Sequence, residues 1–165
     1  MNRKKAVLLL VMAGLGAALA LAPLASADRP IRIELDDPPD ATGQFCEDFE
    51  VLLHTTRNNE VLTIFTSGAA LITGSLRQEV TNVETGETIE YNIPGPGRFS
   101  ADGSTLIGTG PWLILGEEGD LGEGSPPQVN YITGRFIITF DESGAVTGLK
   151  VLSGRVVDVC AALTP

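Results

Sequence analysis

The sequence predicts an all-β protein, an antiparallel meander of about eight strands that closes into a small barrel. Three observations lead to this fold class. Apolar residues alternate with polar ones instead of recurring with a helical period, and turn-forming residues separate the alternating runs. Glycines interrupt the longest runs, as a sheet that must curl requires. The only two cysteines, Cys46 and Cys160, bracket nearly all of this region.

Residues 1–27 have the order of an export signal. Cations at positions 3–5 precede an uncharged apolar stretch at 6–22, and Ala25-Ser26-Ala27 is a small-residue cleavage site. The apolar stretch has about 17 residues, fewer than the roughly 20 that a membrane-spanning helix needs. We therefore expect cleavage after residue 27, a secreted, extracellular protein, and no stable membrane anchor in the mature chain.

The mature chain is strongly acidic. The whole sequence has a net charge of −10, from 21 acidic and 11 basic residues. Removal of residues 1–27 takes three cations and no acid, so the net charge falls to −13. No stretch is basic enough to predict a nucleic-acid partner. The oligomeric state leaves no signature in the sequence.

Residues 28–44 predict a flexible, acidic N-terminal segment, because Asp36, Asp37 and Asp40 stand there among prolines and a glycine. Ile31, Ile33 and Leu35 alternate with polar residues, so a short docked strand is the alternative. The β-barrel domain then covers residues 45–162.

Eight candidate strands follow, separated by turns rich in Gly, Pro, Asn and Asp. Three of the interrupting glycines, Gly74, Gly134 and Gly154, lie in similar tetrapeptides and are interpreted as bends or bulges. The candidate strands are 45–54, 60–66, 69–82, 86–93, 97–101, 104–115, 128–141 and 145–159.

Two cysteines in an exported chain predict one disulfide. Cys46 lies at the start of the first candidate strand and Cys160 at the end of the last, 114 positions apart. Closure of an antiparallel meander would place these two ends side by side. The chain-entropy model gives such a loop about 4–5 kcal/mol of stabilisation as an upper bound. Two free thiols or an intermolecular bridge are the alternatives.

Common catalytic and metal-binding motifs are missing from the sequence. It has no G-x-S-x-G, no S-x-x-K, no phosphate-binding glycine loop and no H-E-x-x-H. His54 is the only histidine and lies before a polar turn, where we expect it to be exposed. The acidic residues at 117–123 are interpreted as a solvated loop, with a calcium site as the alternative. We therefore predict no catalytic residue, no metal and no cofactor.

Strand parity places a few polar side chains on otherwise apolar faces. If these faces point inward, Glu47, Gln78 and Arg155 are polar contacts inside the barrel, and Trp112 and Phe136 are its apolar walls. An interior arginine needs a partner, which is either Glu47 or the anionic head of a ligand. The alternative is that bulges reverse the parity, so that these polar groups reach water.

Two local motifs carry a resemblance to known proteins. Gly43-Gln44-Phe45-Cys46 is an early G-x-x-C, and Asn82-Val83-Glu84-Thr85-Gly86 is a Thr-Gly hairpin. With the export signal, they make residues 43–162 resemble a group of secreted actinobacterial proteins of uncharacterised function. That group is similar in architecture to calycin-like barrels of the allene oxide cyclase and dirigent type. The resemblance implies an eight-stranded barrel that holds a hydrophobic ligand, but no catalytic residue of those enzymes matches a position here.

We expect a secreted, non-enzymatic protein that binds a small hydrophobic molecule inside the barrel. A cyclase or isomerase acting on a hydrophobic substrate is one alternative, because such chemistry can depend on shape and few polar groups. An envelope-associated structural protein with a filled barrel is the other. An interior cavity of about 300 Å³ or more would favour the first two functions over the third.

Overall fold

The computed structural model describes residues 29–164, so the predicted signal peptide lies outside the described residues. This part of the chain is mostly β with one short helix, which confirms the predicted all-β class. No helix within it is long and apolar enough to cross a membrane. Its elements are β1 (Ile31–Glu34), β2 (Ala41–Gly43), β3 (Val51–Asn58), β4 (Val61–Ile64), β5 (Ala70–Thr73), β6 (Leu76–Asn82), β7 (Thr88–Ile93), β8 (Gly97–Phe99), β9 (Thr105–Gly116), β10 (Gln128–Phe140), β11 (Val146–Asp158) and the short helix α1 (Val159–Ala162).

The strands form two antiparallel sheets. The smaller sheet has the order β2-β3-β6-β7, and the larger sheet has the order β1-β4-β5-β8-β9-β10-β11. In residues 29–164, β1 and β11 are the two edges of the larger sheet, and no ladder joins them. The antiparallel pairing that we predicted is therefore confirmed, whereas the closed barrel is not.

The chain passes from one sheet to the other by bending within strand-length segments. Candidate strand 69–82 is divided in this way, with β5 in the larger sheet and β6 in the smaller. Gly74 lies at the corner with a φ of +124°. A side chain there would collide with the backbone of Asn59, whose N–H donates to the Ser75 carbonyl over 2.9 Å. Glycine fits this close approach and supplies the bend that the sequence predicted.

A row of three glycines bends the long strands of the larger sheet. Gly134 on β10 lies opposite Gly110 on β9 and Gly154 on β11. Gly110 and Gly154 have φ values of +81° and +105°, which favour glycine. On one side of this row, Leu113 and Val129 pack towards the smaller sheet. On the other side of the row, the same face of the larger sheet is exposed or half-buried.

Buried side chains form two clusters. The first cluster lies between the sheets and includes Phe45, Val51, Val80, Leu113, Val129 and Leu163. The second cluster includes Leu62, Ile72, Leu106, Ile132, Phe136 and Ile138. Every buried strand residue of the second cluster belongs to the larger sheet, so this sheet curls over its own inner face.

The N-terminal segment takes part in both sheets. β1 pairs with β4, and β2 pairs with β3. Ile33 and Leu35 pack against the second cluster, and the Asn58 side chain donates to the Leu35 carbonyl over 3.2 Å. The docked strand, the alternative to a flexible segment at 28–44, is therefore what forms. Its alternating sequence places the apolar side chains of Ile33 and Leu35 on the face that packs against the second cluster.

Candidate functional site

Cys46 and Cys160 form the predicted disulfide, with their Cα atoms 5.6 Å apart. Its pairing is confirmed, but its place in the fold differs from the one expected. Cys46 lies in the loop before β3, and Cys160 lies in α1 after β11. The bond therefore connects elements that flank two different sheets instead of closing one sheet. A structural disulfide of this kind is typical of an oxidising, non-cytoplasmic compartment.

Trp112 on β9 and Phe136 on β10 are in contact within the second cluster. Their ring centroids lie 5.5 Å apart in an edge-to-face arrangement. Phe136 is fully buried over Gly108, where a Cβ atom would collide with its ring. Trp112 covers Gly97 in the same way, and its Nε1 donates to the Thr109 carbonyl over 3.3 Å. The two rings pack into spaces that glycines leave open.

The three polar residues predicted to join these rings lie elsewhere. Arg155 is exposed on β11, and Glu47 is exposed in the loop before β3. Gln78 is half-buried in the smaller sheet, where its Nε2 donates to Thr55 Oγ1 over 3.4 Å. The interior positions expected for Arg155 and Glu47 are therefore corrected. A role in ligand binding for any of the five residues stays a prediction.

A β-bulge in β11 explains why Arg155 lies on the exposed face instead of the predicted inner face. Arg135 and Phe136 are adjacent on β10, but their partners Ser153 and Val151 are two residues apart, so Leu152 is an extra residue. Such a bulge reverses the alternation of faces along a strand. Residues after this bulge therefore lie on the side opposite to the one predicted by counting from Leu149 and Val151, which precede it.

A row of cations crosses the outer face of the larger sheet, and sequence analysis missed it. Its members are direct neighbours across the strands: Arg32, Thr63, Leu71, Arg98, Ile107, Ile137 and Lys150. We call these seven residues the cationic row. Its three cations are exposed, and the other members are half-buried. Because they are far apart along the chain, only strand pairing brings them into line.

Two shallow depressions, both open to solvent, lie beside the cationic row. One has a volume of about 450 Å³ and lies among Phe65, Leu71 and Arg98. The other has a volume of about 220 Å³ and lies among Arg98, Thr105 and Ile107. Neither is lined by the two aromatic or the three polar residues predicted for the site.

The two hairpin tips near this face are stabilised by aspartates. Asp102 accepts hydrogen bonds from Ser100 Oγ over 2.6 Å and from Ser104 Oγ over 2.8 Å. With the Ser104 amide, they lower the pKa of Asp102 to about 2. Bonds from Ser143 and neighbouring amides lower the pKa of Asp141 in the same way. Each carboxylate therefore stabilises the hairpin turn in which it lies.

His54 is exposed, as its position before a polar turn predicted. Its Nδ1 lies 2.8 Å from Asp40 Oδ1. The hydrogen bond and the negative charge of Asp40 raise the pKa of His54. The lone histidine is thus half of a surface ion pair between β3 and the segment before β2.

The acidic loop after β9 is tied to the fold by its own contacts. The Glu117 amide donates to Asp120 Oδ2 over 3.0 Å, and Leu121 is buried in the second cluster. Within residues 29–164, no group of three or more histidine, cysteine or acidic side chains is arranged to hold a metal ion.

No protein-family model, curated protein or solved structure matches the chain. The resemblance to secreted actinobacterial proteins therefore stays a prediction.

Proposed function

We propose that the protein is exported, is not an enzyme, and acts in the cell envelope through its outer surface around a filled interior. This is the envelope-associated structural protein among the functions that the sequence leaves open. The aromatic pair is the observation that carries the proposal. Phe136 and Trp112 pack directly onto Gly108 and Gly97, which leaves the inner face occupied by the protein's own side chains.

The buried polar groups support the same proposal because each already has a partner. Asn82 is buried, and its amide nitrogen donates to the Leu163 carbonyl over 3.2 Å. Its Oδ1 accepts from the amides of Glu84 and Thr85. Within residues 29–164, no buried side-chain nitrogen or oxygen lacks a hydrogen bond. A pocket that recognises a ligand keeps a few polar groups directed at it, and these groups are used by the fold instead.

Export is supported by the disulfide together with the apolar N-terminus and its cleavage motif. The full chain would be produced in a bacterial secretion host and fractionated. We expect a mature protein in the extracellular or envelope fraction that begins at Asp28 and has no alkylatable thiol. Retention in the cytoplasm with two free thiols would contradict export.

Native mass spectrometry of the exported protein tests the filled interior. We expect the mass of the polypeptide alone. A co-purified hydrophobic molecule that is lost in Phe136→Ala, with the fold intact, would contradict the filled interior and favour an internal binding site or a cyclase-type enzyme.

A small hydrophobic ligand on the outer surface is the second candidate. The depression beside Phe65 and Leu71 has a volume of about 450 Å³, within the usual range of roughly 300–1,000 Å³ for small-molecule sites. Arg98 at its rim would bind an anionic head group. A bound molecule that is lost in Arg98→Gln but kept in Phe136→Ala would identify this site.

We also propose that the larger sheet forms a partly open barrel. The support is the second cluster, which the sheet covers with its own strands. Hydrogen exchange tests the extent of closure, because the edge strands β1 and β11 pair on one side only. Alternate amides of both strands should exchange quickly if the edges are open, and protection of every amide would indicate complete closure.

A further inference from the structure

We propose that the cationic row binds a linear anionic glycan, a polysaccharide with carboxylate or phosphate groups spaced along its chain. The inference rests on the envelope function proposed above and names its partner. The few basic residues of this acidic chain are concentrated on one face of the larger sheet. Without its leader the chain has 21 acidic residues and only eight basic ones. Five of the eight, Arg32, Arg98, Arg135, Lys150 and Arg155, are exposed on the outer face of the larger sheet.

This face has almost no negative charge of its own. Glu34, at the β1 edge, is the one carboxylate that the paired strands of residues 29–164 place on it. The ion pairs found in that part of the chain join His54 to Asp40 and Arg77 to Glu90, and all four residues belong to the smaller sheet or its flank. The cations of the row are therefore available to an external anion, even though the whole molecule is negative.

The spacing of the cations favours a polymer with sparse charges. Arg32 and Arg98 are three strand spacings apart, and so are Arg98 and Lys150. Each interval is therefore about 14 Å at the usual strand separation. Duplex DNA has one charge per roughly 1.7 Å of its axis.

A thin chain fits this face better than a flat membrane. The hairpin tips beside the row carry the exposed carboxylates of Asp102, Asp141 and Glu142. An anionic membrane that covered the face would bring its charges close to these tips, within the Debye length of about 8 Å at physiological salt. A polymer that crosses the strands along the row contacts the cations and avoids the tips.

The row also offers contacts suited to sugars. The guanidinium groups of Arg32 and Arg98 can each bind a carboxylate or phosphate through two parallel hydrogen bonds. Thr63 in the row and Thr109 beside it present hydroxyl groups to sugar hydroxyls. Half-buried Ile107 supplies apolar surface for the ring carbons of a sugar.

Titration of the exported chain, residues 28–165, tests the proposal. The probes are polygalacturonate as a carboxylated glycan and phosphomannan as a phosphorylated one, with dextran as the neutral control. We expect binding to at least one anionic glycan at about 20 mM NaCl, about tenfold or more weaker at about 200 mM because salt screens exposed charges. The glycan that binds more tightly identifies the anionic group, and dextran should not bind.

The double variant Arg98→Gln/Lys150→Gln should lower the affinity for that glycan about tenfold or more. Arg77→Gln is the matched control, because Arg77 is an exposed arginine of the smaller sheet. The Arg77→Gln variant should bind that glycan with the same affinity as the unaltered chain. Circular dichroism and the intact disulfide check that each variant is folded.

Three results would overturn the proposal. The first is no binding to either anionic glycan, and the second is equal affinity in the double variant or an equal loss in Arg77→Gln. The third is tighter binding to phosphatidylglycerol vesicles or duplex DNA. Export and the filled interior are tested separately, by fractionation and native mass spectrometry, so the two proposals can fail independently.

Discussion

The two buried clusters are held together by different means. The first cluster lies between the sheets, contains Cys46, and has Cys160 packed against it. The second cluster lies within one curled sheet and has no cysteine; there Phe136 and Trp112 pack onto glycines. Contacts between two sheets are thus secured by a covalent bond between distant parts of the chain. A sheet that covers its own face depends instead on small residues beneath large ones.

The largest expected effect comes from removing the bond that secures the first cluster. Cys46→Ser/Cys160→Ser should lower the free energy of unfolding by about 2–5 kcal/mol, because the unfolded chain regains the freedom of a long loop. Urea unfolding of residues 28–165 measures this loss. Unchanged stability would mean that the first cluster holds the sheets together without the disulfide.

Truncation of one fully buried phenylalanine in each cluster sharpens the comparison. Phe45→Ala and Phe136→Ala should each cost about 3–5 kcal/mol through lost packing and a cavity. Phe45 precedes Cys46, and its carbonyl oxygen lies 3.6 Å from Cys160 Sγ. Its truncation should therefore be non-additive with loss of the disulfide, whereas the Phe136 truncation should add within about 0.5 kcal/mol. Equal coupling for both would remove the distinction between the clusters.

Gly108→Ala tests the packing of glycine beneath Phe136 in the second cluster. The new Cβ would collide with the ring, so we expect a loss of about 1–3 kcal/mol. Phe136→Leu in the same chain should recover part of that loss by making room. Gly148→Ala is the control, because its Cβ would meet only the Thr139 hydroxyl, and it should stay within about 0.5 kcal/mol. A neutral Gly108→Ala would contradict the tight packing.

The smallest expected effect concerns the pH dependence of stability at the smaller sheet. Asp40 raises the pKa of His54 above its ordinary value of 6.5 in the folded protein. The stabilisation is therefore complete below pH 6.5 and is lost as the pH rises through the raised pKa. Unfolding followed across this range should show a slight decrease in stability that is absent in His54→Gln. If stability decreases with pH in the same way in His54→Gln, the pH dependence comes from another titratable group.

The sequence by itself determined the features that depend on neighbouring residues. Phe49, Val51 and Leu53 occupy alternate positions, as expected for one buried face of a strand, and all three belong to the first cluster. Gly74 and Gly154 adopt the positive φ expected at bends. Alternation and turn chemistry are local properties, so a single sequence is enough to predict them. The disulfide was predicted from the expected export signal and from there being only two cysteines.

Only the tertiary structure decided how the strands are divided between the sheets and what each face carries. A bend at Gly74 moves part of one predicted strand into the second sheet, and the bulge at Leu152 carries Arg155 to the outer side. Arg98 and Lys150 fall into one row because their strands pair in a particular register. Register depends on the partner strand, and one extra residue reverses the faces of all residues after it. Alternation along one strand therefore predicts that a buried face exists but not which partners lie across it.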